Sequence, residues 1–157
     1  MAAFWEWLAA LPPAVALQRS GTAYLLVNAA HILSIGVLVG SIASLDLRLL
    51  GAFRHVPVNV VAPFLSRMAA WGLGAAAITG LWLFSVRPDE YASNTAFLAK
   101  LAVVAMGVAN ALWLHRARTW IPLAREGIVP PSVRGHAAAS LMLWAGAVIA
   151  GRWIGFL

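Results

Sequence analysis

Three basic side chains stand inside segments of the chain that are otherwise almost entirely apolar. His31 lies within a run without formal charge from Thr22 to Leu45, Lys100 follows a predicted helix start near Thr95, and Arg152 lies close to the C-terminus. A neutral imidazole can ligate a metal ion, and a lysine or an arginine can pair with an anion. What these residues can do together depends on the elements that hold them.

The composition excludes an ordinary soluble domain. The chain has 157 residues, of which 62% are hydrophobic and 10% are charged, whereas a soluble domain has about 25% charged residues. Four apolar segments each approach the ~20 residues that a helix needs to cross a bilayer, at about 22–45, 66–86, 95–115 and 135–157. They use nearly the whole chain. The sequence therefore predicts an all-α polytopic membrane four-helix bundle, in contact with lipid and without a soluble catalytic domain.

Residues 1–21 form a predicted N-terminal interfacial segment ahead of the four-transmembrane-helix domain, residues 22–157. We expect a short helix over residues 4–11 that ends at a proline pair and places its two tryptophans at the level of the lipid headgroups. Glu6 and the absence of a basic start disfavour a cleaved signal segment, which stays the alternative interpretation.

Basic residues concentrate in two connections that four crossings place on the same side of the membrane. They are Arg48, Arg54 and Arg67 in and beside the first connection, and Arg116, Arg118, Arg125 and Arg134 in and beside the third. Lysine and arginine are enriched in cytoplasmic loops, so we expect a bacterial inner membrane protein with both termini in the periplasm. The net charge of +6 then mostly reflects the orientation of the chain in the membrane, and a nucleic-acid partner is not expected.

This topology places the three basic residues at comparable depth in the periplasmic half of the bundle. At 1.5 Å per residue, His31 lies about 13 Å and Lys100 about 8 Å from the start of its helix, and Arg152 is similarly shallow. No carboxylate occurs in the helices at this level. A haem would compensate such a cluster, because its iron takes a neutral imidazole and its propionates take cations. The absence of cysteine excludes thiolate-ligated haem and iron–sulfur clusters.

Each residue of the cluster has a predicted role in binding haem b. We expect His31 to be the axial ligand of the haem iron, Lys100 to be a second axial ligand or a propionate partner, and Arg152 to be a propionate partner. Asn28 shares the face of His31 at helical spacing and is a further candidate for cofactor binding. The alternative is that Lys100 and Arg152 extend towards the interface and that His31 only bonds a neighbouring helix.

Small residues recur every four positions on three of the predicted helices, a spacing that lets helix backbones approach closely. We expect them to pack the bundle, and a homo-oligomer through such a face is the second interpretation. They are Gly36, Gly40 and Ser44 on the first helix, Gly72, Ala76 and Gly80 on the second, and Gly151 and Gly155 on the fourth.

Three further polar residues lie near the cytoplasmic ends of the helices. We expect Asp46 to form an ion pair with Arg48 that fixes the end of the first helix. His115 and His136 fall at one level. They are either interfacial side chains or the ligands of a second haem.

A set of short motifs resembles the CopD-like and HemJ-like group of bacterial membrane proteins, and resembles still more closely small uncharacterised families with a DLRLLG turn and a terminal GRW. The motifs are His31, DLRLLG (46–51), Arg67-Met68, TGLWLF (79–84) and FLAKL (97–101). HemJ-type protoporphyrinogen oxidases have a first-helix histidine and a third-helix lysine tied to b-type haem, and these match His31 and Lys100. Their second third-helix histidine is replaced here by Asn110.

The resemblance and the residues together imply a small membrane haem protein in redox chemistry or electron transfer, with a quinone or another redox partner. Porphyrinogen oxidation is one such activity, and no catalytic residue is assigned. The contrasting hypothesis is a non-catalytic membrane subunit or transport accessory protein without a cofactor. Paired methionine motifs of the kind that a copper path uses are absent from the sequence.

The first prediction concerns orientation. A reporter that is active only in the periplasm should be active when it is fused after Leu157, because the basic connections hold the other side of the bundle in the cytoplasm. The same fusion with a reporter active only in the cytoplasm is the control, and activity of that control alone would contradict the prediction.

Overall fold

The computed structural model describes residues 2–118 and 120–153, and in these ranges it contains helices and turns but no strand. Four long helices are each long and apolar enough to cross a membrane, which confirms the predicted all-α, multi-pass bundle. In chain order the helices are α1 (Ala2–Ala9), α2 (Pro12–Arg19), α3 (Gly21–Leu50), α4 (Val58–Phe84), α5 (Pro88–Ser93), α6 (Thr95–Arg116), α7 (Trp120–Glu126) and α8 (Pro131–Trp153).

Helix α3 begins and ends at residues with clear capping geometry. The Ser20 hydroxyl accepts a hydrogen bond from the Ala23 amide at 3.2 Å, so it satisfies one of the free amides at the helix start. At the other end Gly51 has a φ of 111° and its amide bonds the Arg48 carbonyl. This left-handed cap stops the helix five residues later than the predicted end at 45, because the polar residues after Leu45 continue the helix.

Prolines account for the other differences in helix bounds. Helix α4 begins directly after Pro57 and contains Pro63 near its start. It is longer than the predicted segment 66–86 because it begins before residue 66. Helix α8 begins at Pro131 rather than at 135, because a proline suits the first turn of a helix, where its missing amide is not needed. The predicted end of this last helix at 157 lies outside the described residues.

The four long helices pack as two antiparallel hairpins. Helix α3 lies along α4, α6 lies along α8, and the two hairpins meet where α3 packs against α8. We call the end of the bundle at which α3 begins and the described part of α8 ends the terminal end, and the other the opposite end. The terminal end holds Gly21, Phe84, Thr95 and Trp153, and the opposite end holds Leu50, Val58, Arg116 and Pro131.

The short helices cover both ends. At the opposite end α7 buries Leu123 against Leu49 and Val58. At the terminal end the N-terminal segment forms two helices, α1 and α2, where the sequence predicted one. The segment is fastened to α4, because the Trp82 indole donates a hydrogen bond to the Pro13 carbonyl at 2.7 Å.

Glycine sets the distance between α3 and α4. A Cβ atom at Gly72 would lie 2.7 Å from the Leu38 backbone nitrogen and 2.9 Å from the Leu38 Cα atom, which is closer than any side chain permits. Leu38 itself is buried, in a cluster with Trp144 and Ala147 of α8. The predicted packing role of the small residues is therefore confirmed for α4.

On α3 the same prediction is wrong. A Cβ atom at Gly36 or Gly40 would meet nothing within 4 Å, so this stripe faces away from the other helices of the chain. On α8, a Cβ atom at Gly151 would contact the Lys100 side chain at 3.4 Å, while Gly155 lies outside the described residues.

Replacement of Gly72 by alanine should destabilise the bundle. Overpacking of a tight contact costs about 1–3 kcal/mol, and here the nearest atoms belong to the backbone of α3, which has no alternative rotamer. The free energy of unfolding can be measured by titration of mixed detergent micelles with a denaturing detergent.

Gly74 provides the matched control on the same helix, since a Cβ atom there would meet nothing within 4 Å. Gly74→Ala should leave the free energy of unfolding unchanged or raise it, because alanine favours helix over glycine. Equal losses in the two variants would contradict the close packing of Gly72.

Candidate functional site

His31 is held at the interface of α3 and α4 by a threonine on the neighbouring helix. Its Nδ1 atom lies 2.9 Å from the Thr79 hydroxyl oxygen, which in turn donates its proton to the Ala75 carbonyl at 2.7 Å. With its proton directed to that carbonyl, the hydroxyl oxygen is available as an acceptor for Nδ1–H. We therefore predict the neutral tautomer of His31 that is protonated on Nδ1 and unprotonated on Nε2.

The imidazole ring of His31 packs against Gly80 of α4. A Cβ atom at Gly80 would lie 2.9 Å from the His31 Cε1 atom and 3.7 Å from Nε2, so a larger residue would displace the ring from this position. Thr79 and Gly80 are neighbours in sequence and both contact the ring, one by a hydrogen bond and one by the absence of a side chain. A metal-ligating histidine almost always donates its other ring N–H to an acceptor that orients the ring.

Lys100 of α6 is half-buried at the same terminal end of the bundle. Its Nζ atom lies 5.3 Å from the centre of the Phe97 ring, within the range of a cation–π contact. Its alkyl chain packs over Gly151 of α8. It is close enough to act electrostatically on His31, so the structure brings together two of the residues that the sequence singled out.

An aromatic cap lies over this end of the bundle, formed by Trp5, Phe84, Tyr91 and Phe97. Phe84 and Phe97 stack with ring centres 5.5 Å apart, and Trp5 meets the edge of Phe84 at 5.9 Å. Tyr91 contacts Phe97 at 5.4 Å, and burial, followed by the nearby Tyr24, raises the pKa of its phenol. The cap joins α1, the end of α4, α5 and the start of α6 above Lys100.

The two remaining predicted site residues lie at the surface. Arg152 directly follows Gly151, the residue that Lys100 packs against, and its side chain is exposed. Asn28 is one turn before His31 on α3 and is also exposed. Both therefore lie at the edge of the candidate site, and their predicted roles stay predictions.

The other two histidines in helices lie at the opposite end of the bundle, and both form hydrogen bonds. His136 of α8 bonds the Asn110 side-chain oxygen through Nδ1 at 2.7 Å, and the Asn110 amide donates back to the His136 carbonyl at 3.1 Å. His115 is exposed, bonds the carbonyl of Ala111 on its own helix and lies against the Trp120 ring. Within the described residues no three histidine, cysteine or carboxylate side chains form a group that could hold a metal ion.

The predicted ion pair between Asp46 and Arg48 is wrong. Arg48 donates hydrogen bonds to the carbonyls of Val56 and Arg54 in the following turn, at 2.6 and 3.3 Å. Residues two apart on a helix point to different sides, so the chain cannot turn both side chains to one place. Asp46 instead points into the bundle and is only 5% exposed.

Thr79, Gly80 and Phe97 contact the candidate residues, but the sequence assigned none of them a role at the site: Gly80 was expected to pack the bundle, and Thr79 and Phe97 appeared only within the motifs TGLWLF and FLAKL. Thr79 and Gly80 belong to a TGLWLF segment that is otherwise apolar, and a threonine in such a helix usually bonds its own backbone. The position of Thr79 seven residues after Gly72, on the face that touches α3, is the signal that could have found it.

The sequence model of a protein family described as "Family of unknown function (DUF6644)" matches residues 4–157 of the chain. No curated protein and no solved structure matches the chain.

The tautomer of His31 can be tested without any ligand. In nitrogen-15 NMR spectra of the labelled protein, His31 should have a protonated Nδ1 and an unprotonated Nε2. Thr79→Val keeps the shape of the side chain but removes the acceptor, so a mixture of both tautomers should appear.

Two variants control this measurement. Thr79→Ser retains the acceptor and should keep the single tautomer, and Thr22→Val, at an exposed position of α3, should leave the spectrum of His31 unchanged. A His31 signal that is unaffected by Thr79→Val would contradict the hydrogen bond as the cause.

Proposed function

The chain belongs to this family of unknown function, and from that premise we propose that it is a small multi-pass membrane protein that binds b-type haem at the terminal end of its bundle. The single observation that carries the proposal is the hydrogen bond from His31 Nδ1 to Thr79. It supports a neutral imidazole with an unprotonated Nε2 that could ligate iron, with the ring packed against Gly80.

His31 would be the axial ligand, through its Nε2 atom. One nitrogen from the protein is sufficient for a haem, because the macrocycle itself would supply four nitrogen ligands of the iron. A second protein ligand is optional. Lys100, close enough to act on His31, would serve either as that ligand or as a partner of a propionate.

Cations and polar groups at the edge of the site suit the propionates of the macrocycle. Arg152 follows the glycine on which Lys100 packs, and a guanidinium binds a carboxylate through two parallel hydrogen bonds. Asn28 is exposed one turn from His31 and could donate from its amide. The aromatic cap over Lys100 would limit the access of water to this end.

Haem supplies one-electron chemistry. The residues of the chain would orient the ligand of the iron and determine the charge around it. Thr79 orients the imidazole, and Lys100 adds a positive charge that favours the reduced, less positive iron. Electron transfer with a quinone or a redox partner fits a site at one end of a bundle in the membrane. Porphyrinogen oxidation is the more specific activity that the resemblance to HemJ-type proteins at His31 and Lys100 supports.

Location and assembly form part of the same proposal. The arginines at the opposite end favour a bacterial inner membrane with that end in the cytoplasm and both termini in the periplasm. The open faces of Gly36 and Gly40 on α3 would allow a second copy of the chain to approach closely in a homo-oligomer.

The contrasting function is a membrane subunit or transport accessory protein in which His31 only links α3 to α4. Absorbance distinguishes the two. A haem protein purified in mild detergent should have a Soret band and sharp α and β bands on reduction, whereas a packing histidine leaves the protein colourless even after it is supplied with haem.

His31→Ala should abolish haem binding while the protein still inserts into the membrane, because it removes the iron ligand but little apolar contact. Lys100→Met should be milder, with a shifted spectrum or lower occupancy. Thr79→Val should weaken haem affinity about 10–100-fold, as for other residues that orient a metal ligand. Haem content per protein, from absorbance and pyridine haemochrome, is the measurement.

The matched controls are His136→Gln and His115→Gln, which replace the histidines at the opposite end. Both should keep the full haem content. Loss of half the haem in either control would indicate a second site there, and full retention in His31→Ala would show that His31 is not the ligand.

A further inference from the structure

Asp46 is a buried acidic side chain in a membrane helix. Of the five acidic residues of the chain, all of them among the described residues, only Asp46 is buried. The side chain of Ser140 of α8, itself buried, lies within hydrogen-bonding reach of the carboxyl group. Its Oδ2 atom is buried and has no hydrogen-bond partner in the chain.

The charged groups on the helices around Asp46 do not neutralise a negative charge on its carboxyl group. Arg48, on the same helix, bonds loop carbonyls, while Arg67 of α4 and Arg134 of α8 are exposed. Among the described residues no basic side chain forms an ion pair with Asp46, and the pair between Arg87 and Glu90 is exposed at the other end of the bundle.

The remaining titratable groups at this end also point elsewhere. His136 of α8 is paired with Asn110 of α6. Exposed groups complete the set, and they are Arg54 and His55 in the turn after α3, His115 and Arg116 at the end of α6, Arg118 after it, and Arg125 and Glu126 in α7.

A carboxylate in this position would be unfavourable. Transfer of an unpaired charge from water into an apolar interior costs far more than transfer of a neutral polar group, so such a group neutralises instead. Ionisable residues within membrane helices are rare, and they often mark ion pathways or proton relays. One hydrogen bond from a serine does not replace a cation.

We propose that Asp46 is a proton-binding site, which holds one proton on Oδ2 as a neutral carboxylic acid and exchanges it with the water at the opposite end of the bundle. The step is a plain protonation, in which one O–H bond forms and the negative charge of the carboxylate is neutralised. Neither an oxidant nor a second reactant is needed.

The position of Asp46 on α3 fits exchange from the opposite end. It lies four residues before the helix ends at Leu50, about 6 Å along the axis. His136, on the same helix as Ser140 and one turn nearer that end, uses Nδ1 for Asn110 and leaves Nε2 as a basic nitrogen. His31 lies about 22 Å away along α3, so the two sites are separate.

Infrared difference spectra between acidic and alkaline buffer test the proposal on the full chain in lipid nanodiscs. At about pH 6, two units above the ordinary aspartate pKa of ~3.9, the wild type should show the carbonyl band of a protonated carboxyl group. Asp46→Asn should remove this band. Ser140→Ala should move it to higher wavenumber, because a hydrogen bond to the carboxyl is lost. Glu126→Gln, at an exposed carboxylate, should leave it unchanged.

Each outcome decides the proposal, whether or not haem is bound. If Asp46→Asn leaves the spectrum as it is, Asp46 is ionised and the proposal fails. If sodium chloride abolishes the band at constant pH, the group binds a cation and the proposal fails too. Should Asp46→Asn not fold, the band shift in Ser140→Ala supports the proposal, and the absence of a shift overturns it.

Discussion

Polar groups within a hydrocarbon layer have no water to bond, so each needs a partner inside the protein. In this bundle the partners lie on neighbouring helices. His31 of α3 bonds Thr79 of α4, and His136 of α8 bonds Asn110 of α6. Each hairpin is therefore joined by one histidine, at opposite ends of the bundle. Asp46 departs from this pattern, which is why its free oxygen attracts a functional interpretation.

The contact between α3 and α4 determines the geometry around His31. Gly72 brings the two backbones together at the level of Leu38, and two turns further along α4 the same face presents Thr79 and Gly80 to the imidazole. A larger residue at Gly72 would separate the helices and lengthen the hydrogen bond to Thr79. The orientation of one side chain thus depends on a glycine more than two helical turns away.

Hydropathy predicted the class of the fold, because the length of an apolar segment can be read directly from the sequence. It also singled out His31 and Lys100 as basic residues in apolar segments, and their roles stay predictions. The helix ends were less predictable, since Gly51 and Pro131 set them by backbone geometry rather than by polarity. Thr79 could not be chosen without the register of α4 against α3. The predicted ion pair between Asp46 and Arg48 was wrong because residues that are close in sequence do not always share a face of a helix.

The arrangement of the hairpins has a mechanical consequence. His31 belongs to the α3–α4 hairpin and Lys100 to the α6–α8 hairpin, and the two halves meet along α3 and α8. A rotation of one half against the other about that contact would change the distance between imidazole and ammonium but would leave the His31–Thr79 bond intact. The stacked rings of Phe84 and Phe97, one from each half, would resist such a rotation.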